Sequence, residues 1–215
     1  MAASKLAIIG GRVIDPAQGI DRIADVLISD GKILVVTENS TGSAPDGYEA
    51  IDASGMIVSP GFVDLHTHLR DPGQEWKETI ISGTAAAAHG GFTTVCAMPN
   101  TDPVQDSAAV VDDVMRRAKA DGLVRVLPIG AISVGQHGKQ LAPMGELADS
   151  GVIGFSDDGN PVADANLMRQ ALSYSVELGL PIINHAEDKK IGAGGVMSAG
   201  AVATRLGLAG VPAEA

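Results

Sequence analysis

From Gly61 onward the chain returns again and again to one pattern: a short apolar run, an exit into polar residues, then a longer stretch of helix-forming sequence. The runs at residues 62–65, 92–98, 123–127, 151–156 and 180–184 are nearly continuous in apolar character and far too short to span a membrane. Strands of that kind belong to a parallel sheet covered by helices, and every parallel step needs a crossover. The intervening stretches supply it. Residues 76–89 are alanine-rich and close at Gly90-Gly91. Residues 107–120 carry Val110, Val111, Val114 and Ala118 on one stripe, with Asp112, Asp113, Arg116 and Arg117 turned to water. A short helix ends at residues 146–149, and residues 166–178 form another. The spacing therefore predicts an α/β fold with five strand-helix units.

The first part of the chain follows a different rule. Residues 5–9 form an apolar run closed by Gly10-Gly11, and residues 23–29 and 32–36 flank Asp30-Gly31, a pair suited to a tight primed hairpin turn. Residues 49–53 and 56–58 add short strands after a loop over residues 39–47. Short strands without helices predict a small β module over residues 1–58, followed by a second domain over residues 59–215. Gly10-Gly11 is no dinucleotide fingerprint, because the third glycine and the following helix are missing.

Chemistry-bearing residues gather where apolar runs end. In a strand the side-chain repeat is two, so His66 and His68 share a face and can present two imidazoles to one cation, while Thr67 points away. Asn100, the Asp157-Asp158-Gly159 run and His185 likewise follow apolar runs, at the end of a parallel sheet where ligands collect. Imidazole and carboxylate donors without thiolate suit zinc in a hydrolytic site. Taken alone, Asp-Asp-Gly also describes an ordinary turn, Arg70 a surface ion pair and Asn100 a turn former. His89, before Gly90-Gly91, reads as a helix C-terminal residue, and His137 lies in a glycine-rich loop.

Gly61-Phe62-Val63-Asp64-Leu65-His66-Thr67-His68 resembles the first-strand signature of the cyclic amidohydrolases, and Leu69-Arg70-Asp71-Pro72-Gly73 resembles its continuation in the dihydroorotases of long bacterial form. Met98-Pro99-Asn100-Thr101 and Asn184-His185-Ala186-Glu187-Asp188 extend the likeness along the chain. The resemblance implies a (β/α)8 TIM barrel, here about five of eight units, behind a small β-sandwich-like module. It implies one or two zinc ions held by His66, His68, Asp158 and His185, with Asp158 as the bridging ligand and Asp157 beside it in a supporting or structural place. Glu187 or Asp188 would orient a ligand. Arg70 and Asn100 would hold a substrate carboxylate, the guanidinium through paired bonds. The carboxylated lysine that some members carry on the fourth strand has no counterpart over residues 151–155.

The activity so implied is reversible hydrolysis of the cyclic amide of L-dihydroorotate to N-carbamoyl-L-aspartate, in pyrimidine biosynthesis. Rival readings are an allantoinase- or hydantoinase-type cyclic-amide hydrolase and a non-catalytic scaffold subunit of aspartate transcarbamoylase. Members of the family are roughly twice this long, so the resemblance expects three further strands, another histidine ligand and the aspartate that acts as general base. On that basis the 215-residue chain is expected to be inactive alone, with a complementary C-terminal fragment, a homo-oligomer or aspartate transcarbamoylase as possible partners. A net charge of -11 argues against a broad nucleic-acid-binding face. The single cysteine, Cys96, and the lack of any membrane-length apolar run point to the cytoplasm.

Overall fold

The computed structural model describes residues 5–215. The chain divides into two compact units, Met1–Gly61 and Phe62–Ala215. In the first, β1 (Lys5–Asp15), β2 (Ile20–Ser29), β3 (Lys32–Val36), β4 (Glu49–Asp52) and β5 (Ile57–Val58) make one sheet in the order β3-β2-β1-β4, with β5 also on β1. The β2–β3 turn is the one the sequence suggests: Asp30 and Gly31 both have positive φ, 52° and 71°. Gly10-Gly11 does not end a strand. It lies inside the 11-residue β1, whose register against β2 shifts between Ile8 and Gly11. The shift has a built-in support. Asp25 is buried at the bulge and accepts from Gly10 N (2.9 Å), Ser40 Oγ (2.5 Å) and both the amide (2.7 Å) and hydroxyl (2.9 Å) of Thr41.

The second unit contains β6 (Phe62–Thr67), α1 (Ile80–His89), β7 (Phe92–Ala97), α2 (Ala108–Asp121), β8 (Arg125–Pro128), α3 (Met144–Asp149), α4 (Ala165–Leu178), β9 (Met197–Ser198), α5 (Ala201–Leu206) and β10 (Gly210–Val211). Strands β6, β7 and β8 pair in parallel and in chain order. Two further extended segments continue the sheet through single parallel bridges, Gly130 to Phe155 and Phe155 to Ile182. Ser156 N donates to Gly130 O and Phe155 N to Pro181 O, both at 2.9 Å. The result is the expected partial barrel, unclosed, since among the described residues nothing pairs with the outer edge of β6 or with the far side of Ile182.

Three elements depart from the sequence reading. The strands expected over residues 151–156 and 180–184 are single bridges, because Gly151 turns at φ 89° and Pro181 has no N–H to extend a ladder. The helix expected from Trp76 begins at Ile80. Thr79 caps it, accepting from Ser82 N at 3.1 Å while Thr79 N donates to Ser82 Oγ at 3.1 Å, and the preceding residues are held in a turn by Lys77 N on Gln74 O. Among the described residues no helix is long and apolar enough to cross a membrane.

Two apolar clusters hold the helices on this sheet. Leu69, Ile80, Val95, Val114 and Val126 join α1 and α2 to β7 and β8. The larger cluster gathers Val111, Ile132, Leu147, Phe155, Leu167 and Ala171. Phe155 is at its centre, with no accessible surface, in the segment that leads to Asp157 and Asp158. Phe155→Ala is therefore expected to cost about 3–5 kcal/mol of unfolding free energy in urea titration. A loss under about 1 kcal/mol would mean that this segment is not anchored by its side chain.

Candidate metal centre

Parallel pairing in chain order sends the ends of β6, β7 and the Phe155 segment to the same edge of the sheet. His66 is the penultimate residue of β6 and His68 lies just beyond its end, Asn100 follows β7, and Asp158 follows Phe155. The histidine rings meet edge to face with centroids 5.0 Å apart. His66 Nε2 is 3.2 Å and His68 Nε2 3.9 Å from Asp158 Oδ1. Thr67, between them, points elsewhere, and its hydroxyl donates to Cys96 O at 2.9 Å. One ligand atom from each of His66, His68 and Asp158 lies within 4.8 Å of the others, which makes this a potential metal site.

The donor chemistry fits a cation. His68 Nδ1 is 3.0 Å from Asn100 Oδ1, and a carbonyl oxygen only accepts, so the ring proton is on Nδ1. In the neutral ring the Nε2 lone pair then faces the Asp158 carboxylate, and two electron-rich atoms facing each other call for a positive charge between them. Cys96 adds no thiolate, being buried with its thiol pushed up by burial.

His185 is not part of this group. Its Nε2 is 3.0 Å from Glu187 Oε2, on an exposed stretch of chain. Arg70 does not continue the extended geometry of β6: its φ is 59°, so the two-residue repeat that would align it with the histidines breaks. Its guanidinium has no ion-pair partner among the described residues. The loop that carries it is firmly seated. Gly73 (φ 92°) is so close to the next loop that a Cβ would lie 1.8 Å from Asp102 O. Asp71 is bound by Arg117 Nη1 of α2 at 2.8 Å, and Arg117 Nε holds Asp113 at 2.7 Å.

The two adjacent aspartates have opposite surroundings. Asp157 is buried and accepts from Ile132 N and Ser133 N at 2.9 Å each and from Ser133 Oγ, tying the Phe155 segment to the loop after β8. Burial outweighs these bonds and pushes its carboxyl above the usual range. Asp158, in a left-handed conformation (φ 50°), turns the other way toward the histidines. The pairing of Asn100 with both His68 and Asp158 has no local sequence signal, because its partners are 32 and 58 residues away.

Comparison with known proteins places the chain in a family. Residues 55–215 match the family described as Dihydro-orotase-like. The chain belongs to the dihydroorotase-like family. A dihydroorotase of Geobacter metallireducens is 53% identical over 208 residues, covering 96% of this chain and 48% of that protein. One from Anaeromyxobacter sp. (strain K) is 55% identical over 210 residues, covering 98% and 48%. The chain thus spans about half the length of these family members. In fold it is similar to an L-hydantoinase (dihydropyrimidinase) from Arthrobacter aurescens, with TM-score 0.74 and 22% identity over 86% of this chain and 41% of that one.

The raised carboxyl of Asp157 sets a pH test. Its folded value lies above the unfolded one, so its contribution is fully present below the unfolded pKa and is lost as pH rises through the folded value. Asp157→Asn removes that titration. The stability of the variant relative to the parent, from urea unfolding between about pH 3 and pH 8, is expected to rise with pH. A fall would show that the charged form is the favoured one.

Proposed function

We propose that this chain carries the first half of a zinc-dependent dihydroorotase, which reversibly hydrolyses the cyclic amide of L-dihydroorotate to N-carbamoyl-L-aspartate. The convergence of His66, His68 and Asp158 at the strand exits carries the reading. His66, His68 and Asp158 would hold zinc through nitrogen and oxygen donors, with His185 joining them once its loop turns from Glu187. When bound, zinc lowers the pKa of a coordinated water to about 7 and polarises an amide carbonyl.

The chain's own residues would do the positioning. Arg70, on a loop braced by Arg117 and Gly73, offers a planar fork to the ring carboxylate, and Asn100 offers an amide N–H beside it. That preference for a carboxylated ring separates this reading from an allantoinase- or hydantoinase-type enzyme. The open edges of the sheet are consistent with a need for further strands before turnover, whether from the same polypeptide, a separate fragment or another subunit.

Zinc uptake and ring opening test this directly. The chain is expected to bind zinc by anomalous scattering and elemental analysis and to lose it in His66→Ala. Ring opening of L-dihydroorotate is expected only when a polypeptide covering the rest of the relatives' length is supplied. In that assembly Arg70→Lys should raise KM for dihydroorotate while zinc content stays unchanged. Absence of metal at His66 and His68, or equal turnover of allantoin or hydantoin, would overturn the assignment.

A further inference from the structure

We propose that Asn100 is a positioning residue for the metal site: one carboxamide selects the bonding atom of His68 and the bonding oxygen of Asp158 before an ion arrives. The inference rests on the zinc reading above and adds to the substrate-facing role given there to Asn100.

An asparagine side chain has one acceptor oxygen and two N–H donors. Here the oxygen takes the His68 Nδ1–H at 3.0 Å, and Nδ2 donates to Asp158 Oδ2 at 2.5 Å. In the neutral ring the first bond selects the tautomer with its proton on Nδ1, so that Nε2 carries the lone pair toward Asp158. The second occupies Asp158 Oδ2 and leaves Oδ1 turned to the histidines, 3.2 Å from His66 Nε2 and 3.9 Å from His68 Nε2. Without Asn100 the imidazole is free to carry its proton on Nε2, where it blocks the ligand atom, and the carboxylate is free to rotate. Among the described residues the second N–H of Nδ2 has no acceptor, so this role and a contact with an anionic substrate can coexist.

The backbone around Asn100 is pinned on both sides, as a positioning role requires. Met98 N donates to Thr67 O at 2.9 Å, within the histidine-bearing segment, and Gln105 N donates to Pro99 O at 3.0 Å. Asn100 O itself accepts from Gln74 Nε2 at 3.1 Å. The amide is therefore fixed to the same frame as the ligands it orients.

The test uses the 215-residue chain with zinc alone as the probe. Zinc affinity is measured by competition with a chromophoric chelator, and the His68 tautomer of the metal-free protein by long-range ¹⁵N–¹H correlation, with circular dichroism confirming folding. Asn100→Leu is expected to weaken zinc binding about 10- to 100-fold and to release the His68 tautomer, whereas Arg70→Lys should change neither. Asn100→Asp, which keeps the acceptor but not the donor, is expected to retain the Nδ1–H tautomer. It decides the tautomer question if Asn100→Leu does not fold. Parent-like zinc affinity in folded Asn100→Leu, or loss of the tautomer in folded Asn100→Asp, overturns this proposal alone. A parent chain that takes up no zinc overturns the zinc reading and this proposal together.

Discussion

Parallel pairing in chain order is the constraint on which the second unit depends. Because β6, β7, β8 and the segments at Phe155 and Ile182 all run the same way, every exit opens on one edge, and residues far apart in sequence become neighbours there. Pairing of this kind obliges the chain to cross back over the sheet each time, which is why α1, α2, α3 and α4 exist and why their apolar stripes cover it. The register also matters to the chemistry. A slip of one residue in β6 would exchange His66 and His68 for Thr67 and Leu65 on the face that meets Asp158.

Much of this was legible because it is local. The Asp30-Gly31 hairpin follows from turn chemistry, and the stripe of Val111, Val114 and Ala118 on α2 follows from helical periodicity, as their burial shows. What the sequence hid is set by partners at a distance. Nothing near Asp25 announces that Ser40 and Thr41 will fold over it, so a buried carboxylate reads as an ordinary polar strand residue. Trp76, Lys77 and Glu78 suit a helix on propensity, yet the Thr79–Ser82 cap and the turn before it set the start at Ile80. Pro181 is visible, but only the neighbouring segment shows that its carbonyl is used while its missing N–H limits the pairing to one bridge.

Asp157 and Asp158 show why a dipeptide of identical residues cannot be resolved from sequence. The left-handed backbone at Asp158 sends two successive carboxylates to opposite destinations, one closing the turn against Ile132 and Ser133, the other facing the histidines. Reading Asp-Asp-Gly as a turn therefore describes one member, and reading it as a chemical group describes its neighbour. Asn100 is similar: its side chain is engaged at both ends, with His68 and with Asp158, so an ordinary turn-forming residue also links two strand ends.

The contact of Arg117 with Asp71 has a consequence for motion. Arg117 is part of a helix and Asp71 of a loop, so the ion pair ties the loop to α2, and Gly73 packs closely against Asp102. Loops of this length ordinarily sample many conformations on the nanosecond scale, and an incoming molecule must then freeze them at an entropic cost. Here the contacts of Asp71 and Gly73 restrict the loop before any molecule arrives. A fluctuation that carries Asp71 away from this position must first break its bond to Arg117, on the helix whose Val111 and Val114 lie in the two apolar clusters.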